Sequence, residues 1–340
     1  MTTKDTIISL LADGDFISGE ELAEKCQVSR AAVHKSVTAL RNQGYKIEAV
    51  TNKGYRLKES ADTLDGSRME RAINSSISSS QVSVKLFDTI DSTMLEAKRL
   101  TADKKIHNTV IVTDQQTAGR GRMGRPFISP KNTGIYFSLI YSPEGGVKNP
   151  AVYTAAAAVS VARAVKKLYG AECKIKWVND VFLDGKKICG ILTEGVANFE
   201  TGRIETAVVG IGINVRNSEF PPEIADVAGC IENTPGISQN RVSRNELVAE
   251  VISDLIKVYD GYSSGNQNVT MEMIEEYRNR SLLKGLSVEV NPVAGLSGEP
   301  YEAKVLDISP EAELVVQLKD GTVKKLFSGE VSLKSSLFTR

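Results

Sequence analysis

Three arginines and three glycines fall within one short segment, and their types and spacing indicate chemistry with an anion. The segment covers residues 114–129 and reads DQQTAGRGRMGRPFIS, with glycine at 119, 121 and 124 and arginine at 120, 122 and 125. Glycine adopts positive φ and lets backbone N–H groups approach a ligand, while guanidinium groups form bidentate hydrogen bonds with carboxylate or phosphate. The segment therefore predicts an anion-binding loop.

Other interpretations of this glycine spacing are disfavoured by the neighbouring residues. The spacing from Gly119 to Gly124 matches G-x-G-x-x-G, but the dinucleotide fingerprint needs a helix directly afterwards, and Pro126 and Pro130 stand there instead. The HRD and DFG motifs of protein kinases and the G-x-x-x-x-G-K-[ST] motif of P-loop proteins are absent from the sequence. The alternative that remains is a solvated basic turn, for which so much glycine is entropically costly.

A second polar cluster occupies residues 176–192, which read KWVND, a turn at Asp184-Gly185, and KKICGIL. Two strands joined by Asp-Gly are typical of a hairpin. Lys187 directly precedes the apolar run ICGIL, which argues against a merely solvated side chain, whereas Lys186 is expected to be solvated. A third motif, GIGIN at 210–214, predicts a buried strand against whose backbone a flat ring fits.

These motifs, together with Asp91-Ser92-Thr93 and Gln116, resemble the biotin-protein ligase family over essentially the whole chain. With a winged helix-turn-helix predicted for residues 1–60, the resemblance is to the bifunctional members that also repress biotin operons. It implies an enzyme that uses ATP to convert biotin to biotinoyl-5'-AMP and transfers biotin to a lysine of a biotin carboxyl carrier protein. That carrier is a part of acetyl-CoA carboxylase or pyruvate carboxylase. ATP and biotin are then substrates, with Mg²⁺ as a cofactor.

The resemblance also assigns roles to individual residues. Those implied to contact biotin are Ser92, Thr93, Gln116, Arg120, Gly121, Arg122 and Lys187. Those implied to be catalytic are Lys187, Arg122 and Arg120, and those implied to bind the nucleotide are Lys176, Asn179, Asp180 and Asn214, with Asp180 also implied to bind the metal. Ser92 and Thr93 precede a predicted helix at 94–100, so simple N-caps are the alternative role of their hydroxyls.

The motifs contain no Ser/Cys–His pair, so the predicted reaction depends on positioning and charge stabilisation instead of an enzyme nucleophile. Two positions depart from the family pattern. Val178 stands where the family usually has proline, which bears on the local turn. Phe127 stands where tryptophan is common, so a smaller apolar cover over biotin is expected.

Composition sets limits on the class of protein. A chain of 340 residues suggests two or three domains, and its formal net charge is zero. Four dispersed cysteines without C-x-x-C, and only two histidines, disfavour a structural zinc site or a disulfide framework. The sequence shows no signal segment and no apolar run near the roughly twenty residues of a membrane span, so a cytoplasmic protein is expected.

Residues 1–60 are predicted to form a winged helix-turn-helix DNA-binding domain. Helix starts are indicated at Ser18, in a capping box, and at Ser29, and a hairpin over residues 45–57 forms the wing. Between residues 25 and 58 eight basic residues accompany one acid, a charge of 8 − 1 = +7. The alternative is a module that binds only proteins, but the basic third helix favours DNA. The residues expected to contact DNA are Arg30, His34, Lys35, Thr38, Arg41, Lys53 and Arg56.

The remaining chain is predicted to contain two domains. Residues 61–283 are expected to form the α+β catalytic domain, with a linker at 59–80 that contains a short helix around 68–73, a long core helix at 150–168 and a surface loop at 220–240. Residues 284–340 carry short alternating strands, which fit an SH3-like β-barrel. Because one recognition helix reads few base pairs, we expect a homodimer on a palindromic operator, favoured when the adenylate orders the loop at 119–125.

Two other classes of protein share parts of this pattern. A transcription factor that only senses biotin would have the same domains, but the presence of Lys187, Arg120 and Asp180 argues against it. A lipoate ligase would lack the winged helix and the GRGRMGR loop. Release of pyrophosphate and transfer to a carrier protein would distinguish a ligase from such a transcription factor.

Overall fold

A computed structural model describes residues 3–11, 15–42, 45–59, 62–78, 81–102, 106–198, 202–216, 220–237, 242–291, 299–327 and 330–333. The chain divides into two compact units, Met1–Asp65 and Gly66–Arg340. The predicted domain boundaries at residues 60 and 283 stay predictions. Within the described ranges, no helix has the length and apolar character needed to cross a membrane.

The first unit consists of three helices and a two-stranded hairpin. The helices are α1 (Thr3–Leu11), α2 (Gly19–Cys26) and α3 (Arg30–Asn42), and the hairpin pairs β1 (Lys46–Val50) with β2 (Gly54–Glu59). Ser18 Oγ accepts a hydrogen bond from the Glu21 N–H at 3.0 Å, which fixes the start of α2. Ser29 Oγ accepts one from the Ala32 N–H at 3.2 Å, which does the same for α3. Val33, Val37 and Leu40 are buried, so the predicted inward face of α3 is confirmed.

The second unit is organised around a seven-stranded sheet. Its strands are β3 (Ser83–Ile90), β4 (Thr109–Gln116), β5 (Gly134–Tyr141), β6 (Lys174–Lys176), β7 (Asp180–Leu183), β8 (Lys186–Ala197) and β9 (Ile204–Asn214). They lie in the order β3-β4-β5-β9-β8-β7-β6, and only the β3–β4 pair is parallel among these described strands. β5 is buried throughout, which places it in the core of the unit.

Six helices accompany this sheet in the described part of the unit. They are α4 (Gly66–Ser76), α5 (Thr93–Thr101), α6 (Pro150–Tyr169), α7 (Pro222–Ala225), α8 (Arg244–Ser263) and α9 (Gln267–Asn279). The alanines at 155–158 are fully buried in α6, as predicted for a core helix that packs closely. The short helix expected around residues 68–73 within the linker is present as α4, and its Met69 and Ile73 are completely buried, so this segment also contributes to the core.

Five short strands near the C-terminus form a separate antiparallel sheet. They are β10 (Ser287–Asn291), β11 (Tyr301–Ile308), β12 (Leu314–Gln317), β13 (Val323–Leu326) and β14 (Glu330–Leu333), in the order β13-β12-β11-β10-β14. Gly321, in the turn between β12 and β13, has φ 87°. The indole N–H of Trp177 donates to the carbonyl of Ala312 at 3.0 Å, which connects this sheet to the KWVND segment.

Candidate active site

The arginine-glycine segment folds back on itself as a narrow loop between β4 and β5. The Phe127 N–H donates to the Gly119 carbonyl at 2.9 Å, and the Gly121 N–H donates to the Arg125 carbonyl at 2.8 Å. Of the three glycines only Gly124 has positive φ, so the expectation of left-handed backbone holds at one position. Gly119 is required for a different reason, because a Cβ there would lie 2.4 Å from the Phe127 carbonyl oxygen.

A chain of hydrogen bonds connects α5 to the beginning of this loop. Ser138 Oγ donates to Thr93 Oγ1 at 2.8 Å, and Thr93 Oγ1 in turn donates to Gln116 Oε1 at 3.2 Å. The Gln116 amide nitrogen donates to Ser129 Oγ at 2.8 Å. We call these four residues the Thr93–Gln116 network. It fixes the orientation of both the hydroxyl and the amide.

Ser92 lies next to this network but differs from Thr93. Its side chain is fully buried, and its hydroxyl has no hydrogen-bond partner among the described residues. It precedes α5 as the N-cap residue, yet its side chain makes no capping hydrogen bond. Since Thr93 is bonded to Gln116, neither hydroxyl acts as the simple N-cap that the sequence left open.

The side chain of Phe127 covers a pair of glycines on two neighbouring strands. Gly190 of β8 and Gly212 of β9 are partners in the strand register. A Cβ at Gly212 would lie 2.4 Å from a ring carbon of Phe127, and a Cβ at Gly190 would lie 3.0 Å from another. The flat ring that lies against the GIGIN strand is therefore the ring of Phe127, a residue of the arginine-glycine loop.

Lys187 and Asp180 form an ion pair between β8 and β7. Lys187 Nζ lies 2.7 Å from Asp180 Oδ1, and the two side chains are 30% and 21% exposed. The Lys187 ammonium therefore compensates the charge of this carboxylate within the site. Lys186 has different partners: it is exposed, but Nζ donates to the Asp226 carbonyl at 2.7 Å. The expectation that Lys186 is only solvated was therefore wrong.

Asn179 joins the arginine-glycine loop to the second cluster. Arg122 Nη1 donates to Asn179 Oδ1 at 3.2 Å, while the Asn179 side-chain amide donates to the Ile191 carbonyl at 2.8 Å. The Trp177–Val178 peptide bond is cis, and the Val178 carbonyl accepts a hydrogen bond from the Tyr277 hydroxyl at 3.0 Å. The two motifs that the sequence placed far apart thus meet through Arg122.

Most of the predicted site residues line one cavity of about 390 Å³. This volume lies within the range of small-molecule sites, about 300–1,000 Å³. The predicted residues that line it are Thr93, Gln116, Arg120, Gly121, Arg122, Lys176, Asn179, Asp180, Lys187 and Asn214. Ser92 is not among its lining residues.

The charge of this cavity is strongly positive. Its described lining contains five cationic side chains, of Arg120, Arg122, Arg125, Lys176 and Lys187, and one carboxylate, of Asp180. Asp114, at the start of the arginine-glycine segment, does not oppose this charge, because it pairs with the buried Arg244 at 2.6 Å. A cavity of this kind favours an anionic ligand.

Several lining residues were not predicted from the sequence. Ile224, Val227 and Ala228 belong to the segment expected to be a surface loop, yet they form part of the cavity wall. That segment contains α7 and a 3-10 turn at Ile231–Asn233. The apolar residues between the prolines of this segment were the feature of the sequence that could have indicated its place in the cavity wall. Cys189 also lines the cavity, and burial raises the pKa of its thiol far above the usual range, which keeps it protonated.

The predicted DNA-contacting residues divide into two groups in the first unit. Arg30, His34, Lys35 and Thr38 are exposed on α3, and Lys53 is exposed at the hairpin tip. Arg41, although exposed, donates two hydrogen bonds to the Ile47 carbonyl, at 2.9 and 2.7 Å. Arg56 pairs with Glu48 at 2.7 Å and lies 4.5 Å from the ring centre of Phe16. Arg41 and Arg56 thus bind other groups of the same unit, so their guanidinium groups are only partly available to contact DNA.

Comparison with known proteins agrees with both units. Residues 3–56 match the HTH domain family, and residues 86–214 match the Biotin/lipoate A/B protein ligase family. The bifunctional ligase/repressor BirA of Bacillus spizizenii is 31% identical over 336 residues, which cover 98% of this chain and 99% of the relative. The chain belongs to the BirA family of bifunctional ligase/repressors.

Further relatives support the same assignment. Bifunctional ligase/repressor BirA of Escherichia coli is 28% identical and covers 97% of each chain. The structure of biotin protein ligase from Aquifex aeolicus in complex with biotin and ATP superimposes with a TM-score of 0.61 and 27% identity, over 74% of this chain and 98% of that chain. The predicted helix-turn-helix and the predicted ligase fold of the BirA family are thereby confirmed.

Proposed function

We propose that this chain is a biotin–[biotin carboxyl carrier protein] ligase and a DNA-binding repressor of genes for biotin synthesis and uptake. Membership of the BirA family supports both activities. The observation that carries the ligase proposal is that one cavity has two chemically different sides. One side presents the neutral Thr93–Gln116 network, and the other presents the cationic side chains.

The neutral side suits the ring of biotin, whose ureido group offers both N–H donors and a carbonyl acceptor. In the Thr93–Gln116 network the Thr93 hydroxyl is a donor to Gln116 and an acceptor from Ser138, so its remaining lone pair suits a ligand N–H. The Ser92 hydroxyl, buried next to Thr93 in the chain and without a hydrogen-bond partner among the described residues, is a second polar group near this side. The ring of Phe127 on the glycine pair supplies an apolar surface for the remainder of biotin.

The cationic side suits the carboxylate of biotin and the phosphates of ATP. An oxygen of the carboxylate attacks the α-phosphorus, the bond from that phosphorus to the bridging oxygen breaks, and pyrophosphate leaves with the electron pair. The amine of the carrier lysine then attacks the acyl carbon, loses a proton and displaces AMP. Arg120, Arg122 and Lys187 stabilise the negative charge that develops in both steps. Arg122 is already oriented by Asn179.

The nucleotide is assigned to the residues around Asp180. Lys176 and Asn179 are placed at its phosphates and Asn214 at its base, as the BirA-family motifs imply. The described residues contain no group of three His, Cys, Asp or Glu side chains that could hold a metal. Mg²⁺ is nevertheless often bound by one or two carboxylates together with substrate phosphates. Asp180, a carboxylate in the cavity wall, fits this arrangement as the protein ligand of Mg²⁺, which would neutralise phosphate charge.

The repressor activity is assigned to the first unit. Arg30, His34, Lys35 and Thr38 of α3 are placed in the major groove of the operator, and Lys53 at the hairpin tip is placed on phosphates. Arg41 and Arg56 stabilise the elements that carry these residues and contribute less to the contacts with DNA. A homodimer that forms with bound adenylate reads a palindromic operator. The chain acts in the cytoplasm, and its C-terminal strands form an SH3-like domain that helps to cover the nucleotide.

The ligase proposal is tested by measuring pyrophosphate release and transfer to a carrier domain of acetyl-CoA carboxylase. The protein is incubated with ATP, Mg²⁺ and either biotin or lipoate, and the carrier is then analysed by mass spectrometry. We expect pyrophosphate to be released and a carrier lysine to be modified when biotin is present, and neither when lipoate replaces it. Release with lipoate and not with biotin would assign the chain to lipoate ligation. If the protein bound biotin but released no pyrophosphate, it would be a biotin sensor and not a ligase.

A further inference from the structure

A short segment forms part of the cavity wall and is attached to β8 at one place. We call residues 222–229 the strap; it consists of α7 and the four residues after it. The Lys187 N–H donates to the Val227 carbonyl at 2.7 Å, and the Gly229 N–H donates to the Lys187 carbonyl at 2.9 Å. The backbone of Lys187 therefore holds the strap, while its side chain reaches Asp180.

The side chain of Lys186 forms a second attachment at the same place. Lys186 Nζ lies 2.7 Å from the Asp226 carbonyl oxygen and 3.4 Å from that of Ala225. These carbonyls lie at the C-terminal end of α7, where backbone oxygens have no partner within the helix. A lysine near such an end is a favourable donor. The strap packs so closely on this lysine that a Cβ at Gly229 would lie 2.5 Å from Lys186 Cβ.

The strap brings apolar side chains to the cavity wall. Ile224 and Val227 line the cavity, although 38% and 46% of their surface is exposed. Large apolar side chains that remain this exposed in a cavity wall gain burial when a flat apolar group lies against them. Their position depends on the two attachments of the strap to β8.

The sheet order indicates which part of the cavity the strap serves. Gln116 ends β4 and Lys187 lies on β8, with β5 and β9 between them. Three strand spacings separate them, or about 14 Å. The strap thus borders the cationic side and lies far from the Thr93–Gln116 network.

We infer that Lys186 is a positioning residue that sets nucleotide affinity by holding the strap, without touching the nucleotide itself. This inference rests on the proposed ligase function, because that function places ATP on the cationic side. Loss of the Lys186 ammonium lowers the fraction of molecules in which the strap is in place. The apparent dissociation constant of the nucleotide rises in inverse proportion to that fraction. Because Lys186 is exposed and water competes for the same carbonyls, we expect a weakening of about three- to tenfold.

The test is calorimetric titration with α,β-methylene-ATP at saturating biotin, together with hydrogen exchange of peptides that cover residues 222–229. Lys186→Met should weaken the nucleotide analogue about three- to tenfold, leave the affinity for biotin unchanged and accelerate exchange in the strap. Lys186→Arg keeps the donor and should restore both values. Lys166→Met is the matched control, because Lys166 is an exposed lysine of α6 that pairs with Glu172.

A second variant perturbs the strap while Lys186 stays in place. Gly229→Ala introduces the Cβ that would lie 2.5 Å from Lys186 Cβ, so the strap must move away from β8. We expect the same selective loss of nucleotide affinity and the same faster exchange.

Three results would overturn the inference: unchanged analogue affinity in Lys186→Met, an equal loss of biotin affinity, or unchanged exchange in the strap. If the parent protein binds neither biotin nor the analogue, the proposed ligase function fails, and the exchange data alone decide whether Lys186 holds the strap.

Discussion

Replacement of Lys187 by methionine removes a cation from the cavity and keeps the length of the side chain. Lys187 Nζ lies 2.7 Å from Asp180 Oδ1, and both side chains are largely buried, so its charge is only partly screened. In such a setting two unit charges 4 Å apart interact with about 4 kcal/mol. Removal of one preorganised donor from developing charge typically lowers kcat about 10²- to 10³-fold. We therefore expect biotin-dependent pyrophosphate release to fall at least about a hundredfold.

The same variant must be checked for stability, because it leaves the carboxylate of Asp180 without its cation. Partly exposed ion pairs contribute about 0–1 kcal/mol, which corresponds to a few degrees in Tm, about 2–4 °C for a domain of this size. Asp180→Asn in the Lys187→Met background should restore the Tm and not the activity. Lys174→Met removes an exposed lysine from the same sheet and should keep the parent rate. A folded Lys187→Met protein within about threefold of the parent rate would refute the assigned role.

Four further predictions concern other parts of the molecule. Arg122→Ala should leave the fold intact and increase leakage of biotinoyl-AMP in rapid filtration about ten- to a hundredfold, since a charge-assisted contact contributes about 1.5–3 kcal/mol; unchanged leakage would contradict this. Gly212→Ala should displace the ring of Phe127 and raise the KM for biotin, and Phe127→Ala in the same chain should relieve the clash, as steady-state kinetics can show. Operator affinity in gel shifts should rise about 5- to 150-fold with biotin and ATP and fall steeply with salt, and Lys53→Ala should reduce the salt slope; equal affinity in both conditions, with a monomer in sedimentation, would remove the coupling. Iodoacetamide should label Cys26 before the three buried cysteines, and because burial raises the pKa of the Cys26 thiol, labelling should increase as pH rises through and above 9.

The parts of this fold that local sequence determines were predictable. Ser18 and Ser29 accept hydrogen bonds from the first turns of α2 and α3, so the residue types that indicated helix starts act through one local contact each. The alternation of apolar and polar residues along the strands, and the Asp-Gly turn at 184–185, likewise indicated hairpins. The arginine-glycine loop could be recognised as an anion site because its composition alone is unusual.

The contacts that complete the site were not predictable, because they join residues distant in the chain. Nothing near Phe127 in the sequence indicates that its ring requires glycine at 190 and 212. The strap resembles a surface loop in composition, and its contacts with Lys186 and Lys187 make it a wall of the cavity. The ion pair of Lys187 with Asp180 depends on the register of β7 and β8, in which a bulge lies between Val181 and Phe182.

The measurement that tests the ligase proposal most directly is native mass spectrometry of the protein after incubation with biotin, ATP and Mg²⁺, without a carrier protein. We expect one ligand per chain with the mass of biotinoyl-5'-AMP, one pyrophosphate released for each ligand formed, and loss of that ligand when a carrier domain is added. Biotin and intact ATP bound together, or biotin bound alone, with no adenylate formed, would contradict it.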